Sequence, residues 1–122
     1  MKKKNIGPSD RQLKVGENLR KAISFMMQNH SFHNPIIDKA SILITEVRIS
    51  PNLSNASVYI STLGGINNSE SLTSALNNAW RPLVGRLTRE LKLRRAPKLN
   101  FMLDDSFERQ AFIDNLINSA KK

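Results

Sequence analysis

Two short runs of alternating residues, separated by one proline turn, restrict this chain more than any other feature. Segment 41–49 (SILITEVRI) is rich in β-branched residues. Its odd positions Leu43, Thr45, Val47 and Ile49 are expected on a buried face, with Glu46 and Arg48 pointing away. Segment 56–63 (ASVYISTL) alternates Ala56, Val58 and Ile60 with Ser57, Tyr59 and Ser61. Ser50-Pro51-Asn52 between them is a turn signal, so the two strands are expected to form an antiparallel pair. A pair with one apolar face needs further elements to cover that face.

The rest of the chain supplies them. Ser9 is placed to cap a helix with Val15, Leu19, Ala22, Ile23 and Met26 on one side and Lys14, Glu17 and Lys21 on the other. That helix should stop before Asn34-Pro35. Gly64-Gly65 and Asn67-Asn68 close the strand pair. Ser69 then caps a helix carrying Leu72, Ala75, Leu76 and Ala79 inward. Pro82 predicts a kink near Ala79–Pro82. A further helix over 81–95 turns Leu83, Val84, Leu87 and Leu91 inward, with Arg81, Arg86, Arg89 and Lys92 on the outer arc. Pro97 ends it, placing Arg94 and Arg95 at a helix C-terminus, where cations also suit the helix dipole. Leu99, Phe101 and Leu103 alternate with Asn100 and Met102 as a third strand. Asp105 with Glu108 forms a capping box for a last helix burying Ile113, Leu116 and Ile117. The expected class is α+β, a three-stranded sheet covered by helices. Residues 1–8 read as a flexible basic tail and 9–120 as a single domain.

Charge narrows the function. The chain of 122 residues carries a net +9. Residues 1–21 hold seven basic and two acidic residues (+5), and residues 81–98 seven basic and one acidic (+6), so the remainder is −2. Charge concentrated in this way suits a polyanion, and nucleic acid is the expected partner. Arginine fits phosphate because its planar fork can donate to two oxygens at once. The candidate binding residues are therefore Arg81, Arg86, Arg89, Lys92, Arg94, Arg95 and Lys98, with Arg11 and Lys14 from the first helix. The bland alternative is a solvated face. Trp80 would stack on a base if exposed, but is better read as an anchor at the kink.

Catalytic readings find little. There are no cysteines, which excludes disulfides, thiolate metal sites and cysteine nucleophiles. His30 and His33 lack a third ligand. Asp104, Asp105 and Glu108 form an acidic group, but acids commonly occupy a helix start. No phosphate loop of the Walker type is present. No enzymatic activity, metal or cofactor is expected. No apolar run approaches the ~20 residues that span a bilayer, and no membrane partner is expected.

Two motifs carry a resemblance. TEVRISPNLSNASVYIS (45–61) resembles the paired strands of the ribosome-binding factor A family, with their Ser-Pro-Asp-Leu-like turn and Val-Tyr pair. LKLRRAPKLNFMLDDS (91–106) is similar to that family's Leu-Arg-x-x-Pro-x-Leu-x-Phe-x-x-Asp-x-Ser pattern. The likeness runs from about Arg11 to Leu116. It implies a type II KH-like domain with a C-terminal helix, lacking the Gly-x-x-Gly loop by which ordinary KH domains clamp a nucleic-acid backbone. It further implies a cytoplasmic, monomeric, non-catalytic factor. Such a factor binds the free small (30S) ribosomal subunit and its rRNA, assists maturation of the 5′ end of 16S rRNA, and supports growth in the cold. The alternative is a general KH-like module for single-stranded RNA or DNA. Two departures are local. The family's Ala-x-Gly kink here reads Ala79-Trp80-Arg81 followed by Pro82, so proline must make the bend. Asn52 stands where the family often has aspartate, which preserves the turn chemistry.

Overall fold

The computed structural model describes residues 8–62 and 69–104. The basic tail lysines, the glycine and asparagine pairs after the second strand, and the last helix with its capping box lie outside these residues. The elements are α1 (Asp10–Asn29), α2 (Pro35–Lys39), β1 (Ile42–Ile49), β2 (Asn55–Thr62), α3 (Ser69–Trp80), a 3₁₀ turn (Arg81–Leu83), α4 (Val84–Glu90) and β3 (Lys98–Leu103).

α1 begins as its sequence requires. Ser9 Oγ accepts from the Gln12 N–H at 3.2 Å, and Gln12 Oε1 accepts from the Ser9 N–H at 3.0 Å, a reciprocal capping box. Leu19, Ile23 and Met26 form its buried stripe. The helix ends at Asn29, short of Asn34-Pro35, and that dipeptide proves to be a start signal as well. Asn34 Oδ1 accepts from the Ile36 and Ile37 N–H groups, Pro35 occupies the first turn, and α2 buries Ile37.

The sheet order is β1-β2-β3, with β1 antiparallel and β3 parallel to the central β2. A parallel neighbour needs a crossover, which α3, the 3₁₀ turn and α4 provide. β1 departs from its expected phase. A bulge lies between Ile44 and Glu46, where Ile44 faces Ile60 and Glu46 faces Tyr59. The extra residue, Thr45, shifts the alternation by one. Ile44 is therefore buried and Leu43 is 58% exposed, while Val47 and Ile49 keep their expected burial. β2 and β3 follow expectation: Ala56, Val58, Ile60, Leu99 and Phe101 face the core.

Each sheet edge makes one hydrogen bond to a helix side chain. Gln12 Nε2 donates to the Ile49 carbonyl of β1 at 3.0 Å, and Asn77 Oδ1 of α3 accepts from the Phe101 N–H of β3 at 2.8 Å. Edge strands otherwise leave such groups without a partner.

The kink falls where proline predicts. α3 ends at Trp80 and a 3₁₀ turn carrying Pro82 leads into α4. Trp80 is buried, with 1% of its surface exposed, between the rings of Phe32 and Phe101 at 5.9 and 5.8 Å. It anchors the bend and cannot stack on a base. Its Nε1 has no hydrogen-bond partner among the described residues. α4 is shorter than expected, ending at Glu90 and not at residue 95. Arg94 and Arg95 therefore lie beyond the helix, in the connection to β3. The whole is a type II KH-like arrangement around one sheet.

Candidate nucleic-acid interface

The early end of α4 decides the geometry of the site. The Lys92 N–H bonds the Arg89 carbonyl at 3.1 Å, and the Leu93 N–H bonds the Thr88 carbonyl at 3.0 Å. These are the two bonds of a Schellman stop, whose left-handed position is usually glycine. Here it is Lys92, with φ 55°. The chain reverses, Leu93 packs against the core, and Arg94 and Arg95 are carried away from the α4 axis.

They arrive opposite α1. Arg11, Lys14 and Asn18 recur at three- and four-residue spacing on one helix face. Together with residues 91–95 and the hairpin turn Pro51, Asn52 and Leu53, they line a cleft of about 580 Å³. Val15, Ile49, Leu53, Leu91 and Leu93 give it an apolar floor. The turn is held by its own polar groups. Ser54 Oγ donates to Asn52 Oδ1 at 2.6 Å, Ser50 Oγ donates to the same oxygen at 2.8 Å, and the Asn55 N–H reaches Ser50 Oγ at 3.0 Å. Asn52 thus does the work of a turn aspartate while adding no negative charge to the cleft wall.

The nine expected binding residues divide. Arg11, Lys14, Lys92, Arg94 and Arg95 share the cleft. All five are exposed, and among the described residues no acid lines the cleft and none of the five makes an ion pair. The other four lie elsewhere. Arg81 sits in the 3₁₀ turn and Arg89 on the exposed side of α4. Arg86 is engaged by Glu90 at 3.1 Å. Lys98 opens β3, where its N–H donates to the Ser54 carbonyl. Arg20, also in the first basic segment, is paired with Glu17 at 2.6 Å, and their hydrogen bond holds the Glu17 carboxyl below its ordinary pKa. Sequence reasoning missed the turn residues and Asn18 as walls of the site. The spacing Arg11, Lys14, Asn18 was the available signal for the α1 face.

Of the groups considered for catalysis, Asp104 and His30 have structural partners, while Asp105 and Glu108 lie outside the described residues. The Thr45 hydroxyl lies 2.5 Å from an Asp104 carboxylate oxygen, and the Asp104 N–H donates to the Ile60 carbonyl. His30 meets the Phe32 ring edge-on at 4.8 Å.

A family model described as ribosome-binding factor A matches residues 11–117. The chain belongs to the ribosome-binding factor A family. A ribosome-binding factor A from Phenylobacterium zucineum is 37% identical over 94% of this chain and 79% of its own length. The crystal structure of ribosome-binding factor A from Thermus thermophilus superposes with a TM-score of 0.63 at 27% identity, covering 75% of this chain and 94% of that one. A homology model of a Thermus thermophilus ribosome-binding factor A, fitted into a cryo-EM map of a 30S complex, gives a TM-score of 0.60 at 26% identity over 77% of this chain and 96% of that one. Membership accounts for the motifs at 45–61 and 91–106. In the structure both contribute to the cleft: one supplies the hairpin turn, the other the Lys92 stop and its two arginines.

Proposed function

We propose that this protein is a non-catalytic assembly factor of the cytoplasm that binds the free small ribosomal subunit as a monomer. In this reading it assists maturation of the 5′ end of 16S rRNA and supports growth in the cold. The observation that carries the reading is the cleft where cations from two distant segments converge, with no acid in its lining and no ion pair to any of them among the described residues. Clustered like charges repel one another, and a polyphosphate relieves that repulsion while releasing its own counterions. Family membership and the fitting of a relative into a 30S complex support the choice of RNA. Binding one conformation of the subunit better than another would shift the RNA toward that conformation with no chemical step.

The alternative, a general module for single-stranded RNA or DNA, fits the cleft less well. Single-strand binders rely on aromatic platforms for stacking, and none of the described residues that line this cleft is aromatic. Competition between small subunits and unstructured RNA separates the two readings. Equal competition per phosphate would favour the general module.

The direct test is co-sedimentation with purified small subunits. Reversing charge at Arg11, Lys14 and Arg94 together should abolish it while leaving the circular dichroism spectrum unchanged. Reversal at Arg81, Arg86 and Arg89 should weaken it less. Undiminished pelleting of the first variant would remove the cleft from the interface.

A further inference from the structure

Lys92 combines two properties that rarely coincide. It is a non-glycine residue in the left-handed region, at φ 55°, in the one position of a helix stop where glycine is ordinarily preferred. It is also an exposed cation on the wall of the cleft. The left-handed conformation brings the Cβ of an L residue close to its own carbonyl oxygen, so a side chain here destabilises the fold. Nothing in the turn itself favours lysine: the two backbone bonds that close α4 are made by N–H groups that glycine also has. Strain of this kind persists where a function uses it.

We propose that Lys92 is retained at a cost in stability because its ammonium is a binding group, and that its left-handed turn is the device that assembles the site. Without the reversal at Lys92, α4 would run on toward Pro97 and keep Arg94 and Arg95 on its own axis. With it, these arginines join Arg11 and Lys14 across the cleft. One residue thus sets the position of two cations and contributes a third. The inference rests on the function proposed above.

Three variants of the full chain test it: Lys92→Gly, Lys92→Asn and Lys92→Arg. Each is compared with the unaltered protein in thermal unfolding and in binding to small subunits over a range of salt. Glycine relieves the strain, so the Tm of Lys92→Gly should rise by roughly 4–8 °C. Its affinity should nevertheless fall severalfold, and the slope of log affinity against log salt should flatten by about 0.7–0.9, the signature of one lost phosphate contact. Asparagine tolerates the left-handed region and is neutral, so Lys92→Asn should also lose binding with its turn intact. Lys92→Arg should retain it. A stabilised Lys92→Gly that binds with unchanged affinity and salt slope would overturn the role of the ammonium. A Lys92→Gly that is no more stable would overturn the strain. If the unaltered protein itself fails to pellet with subunits, the proposed function falls and this inference with it. Failure of the variants alone sinks only the inference.

Discussion

A methyl group at Gly16 would sit 2.7 Å from the Val47 carbonyl oxygen, because α1 crosses the edge of β1 almost in backbone contact. Gly85, in the exposed part of α4, has room: the nearest atom to an added Cβ is the flexible end of Arg89 at 3.7 Å. The same substitution should therefore have opposite signs at the two sites. Gly16→Ala should destabilise by about 1–3 kcal/mol through forced separation of helix and strand. Gly85→Ala should stabilise by about 0.5–1 kcal/mol, since nothing offsets the entropy that glycine loses in a helix. Urea unfolding of both variants reads the difference directly. Neither sign can be deduced from the sequence, where each residue is a glycine inside a helical pattern. Lys92 was legible as a cation but not as a left-handed residue. Its conformation depends on how Leu93 is drawn into the core, and that requires the rest of the molecule.

At the scale of elements, the helices secure the sheet edges as well as covering its face. Asn77 accepts from the Phe101 N–H at 2.8 Å, and Phe101 is buried. Asn77→Ala should leave that donor without a partner and destabilise by about 1–3 kcal/mol. Amide exchange at Phe101 should quicken with it, whereas unchanged exchange would show that the bond contributes nothing to the edge. Most elements were readable because their signals are local. The capping box at Ser9 and Gln12, the period-two pattern of 56–62 and the proline at the α3–α4 junction all lie within a few residues of what they govern. The failures share a cause. The bulge at Thr45 inverts the first half of β1 because pairing with β2 sets the register. α4 stops five residues before its expected end because the backbone reverses ahead of Pro97. α2 went unseen because five residues are too few for a helical period to emerge.

For the whole molecule, the consequence of bringing five cations together is a strong dependence on salt. If each neutralises one phosphate, log affinity should fall against log salt with a slope of about −3.5 to −4.5. Raising salt from 50 to 200 mM would then weaken binding to small subunits by roughly a hundred- to five-hundredfold. A slope near −1 in a filter-binding titration would mean that the cations do not act together, and the cleft would lose its place in the interface.

The sequence by itself determined the class of fold, most of the elements and their buried faces, the excess of positive charge and the family. These follow from alternation, capping and composition, which act over a few residues or over the chain as a sum. The tertiary structure decided which cations form one site. Arg11 and Lys14 lie near one end of the chain and Lys92, Arg94 and Arg95 near the other, and no local signal relates them. They meet because α1 lies against β1, the hairpin turn stands between them, and one strained lysine turns the chain back at the end of α4.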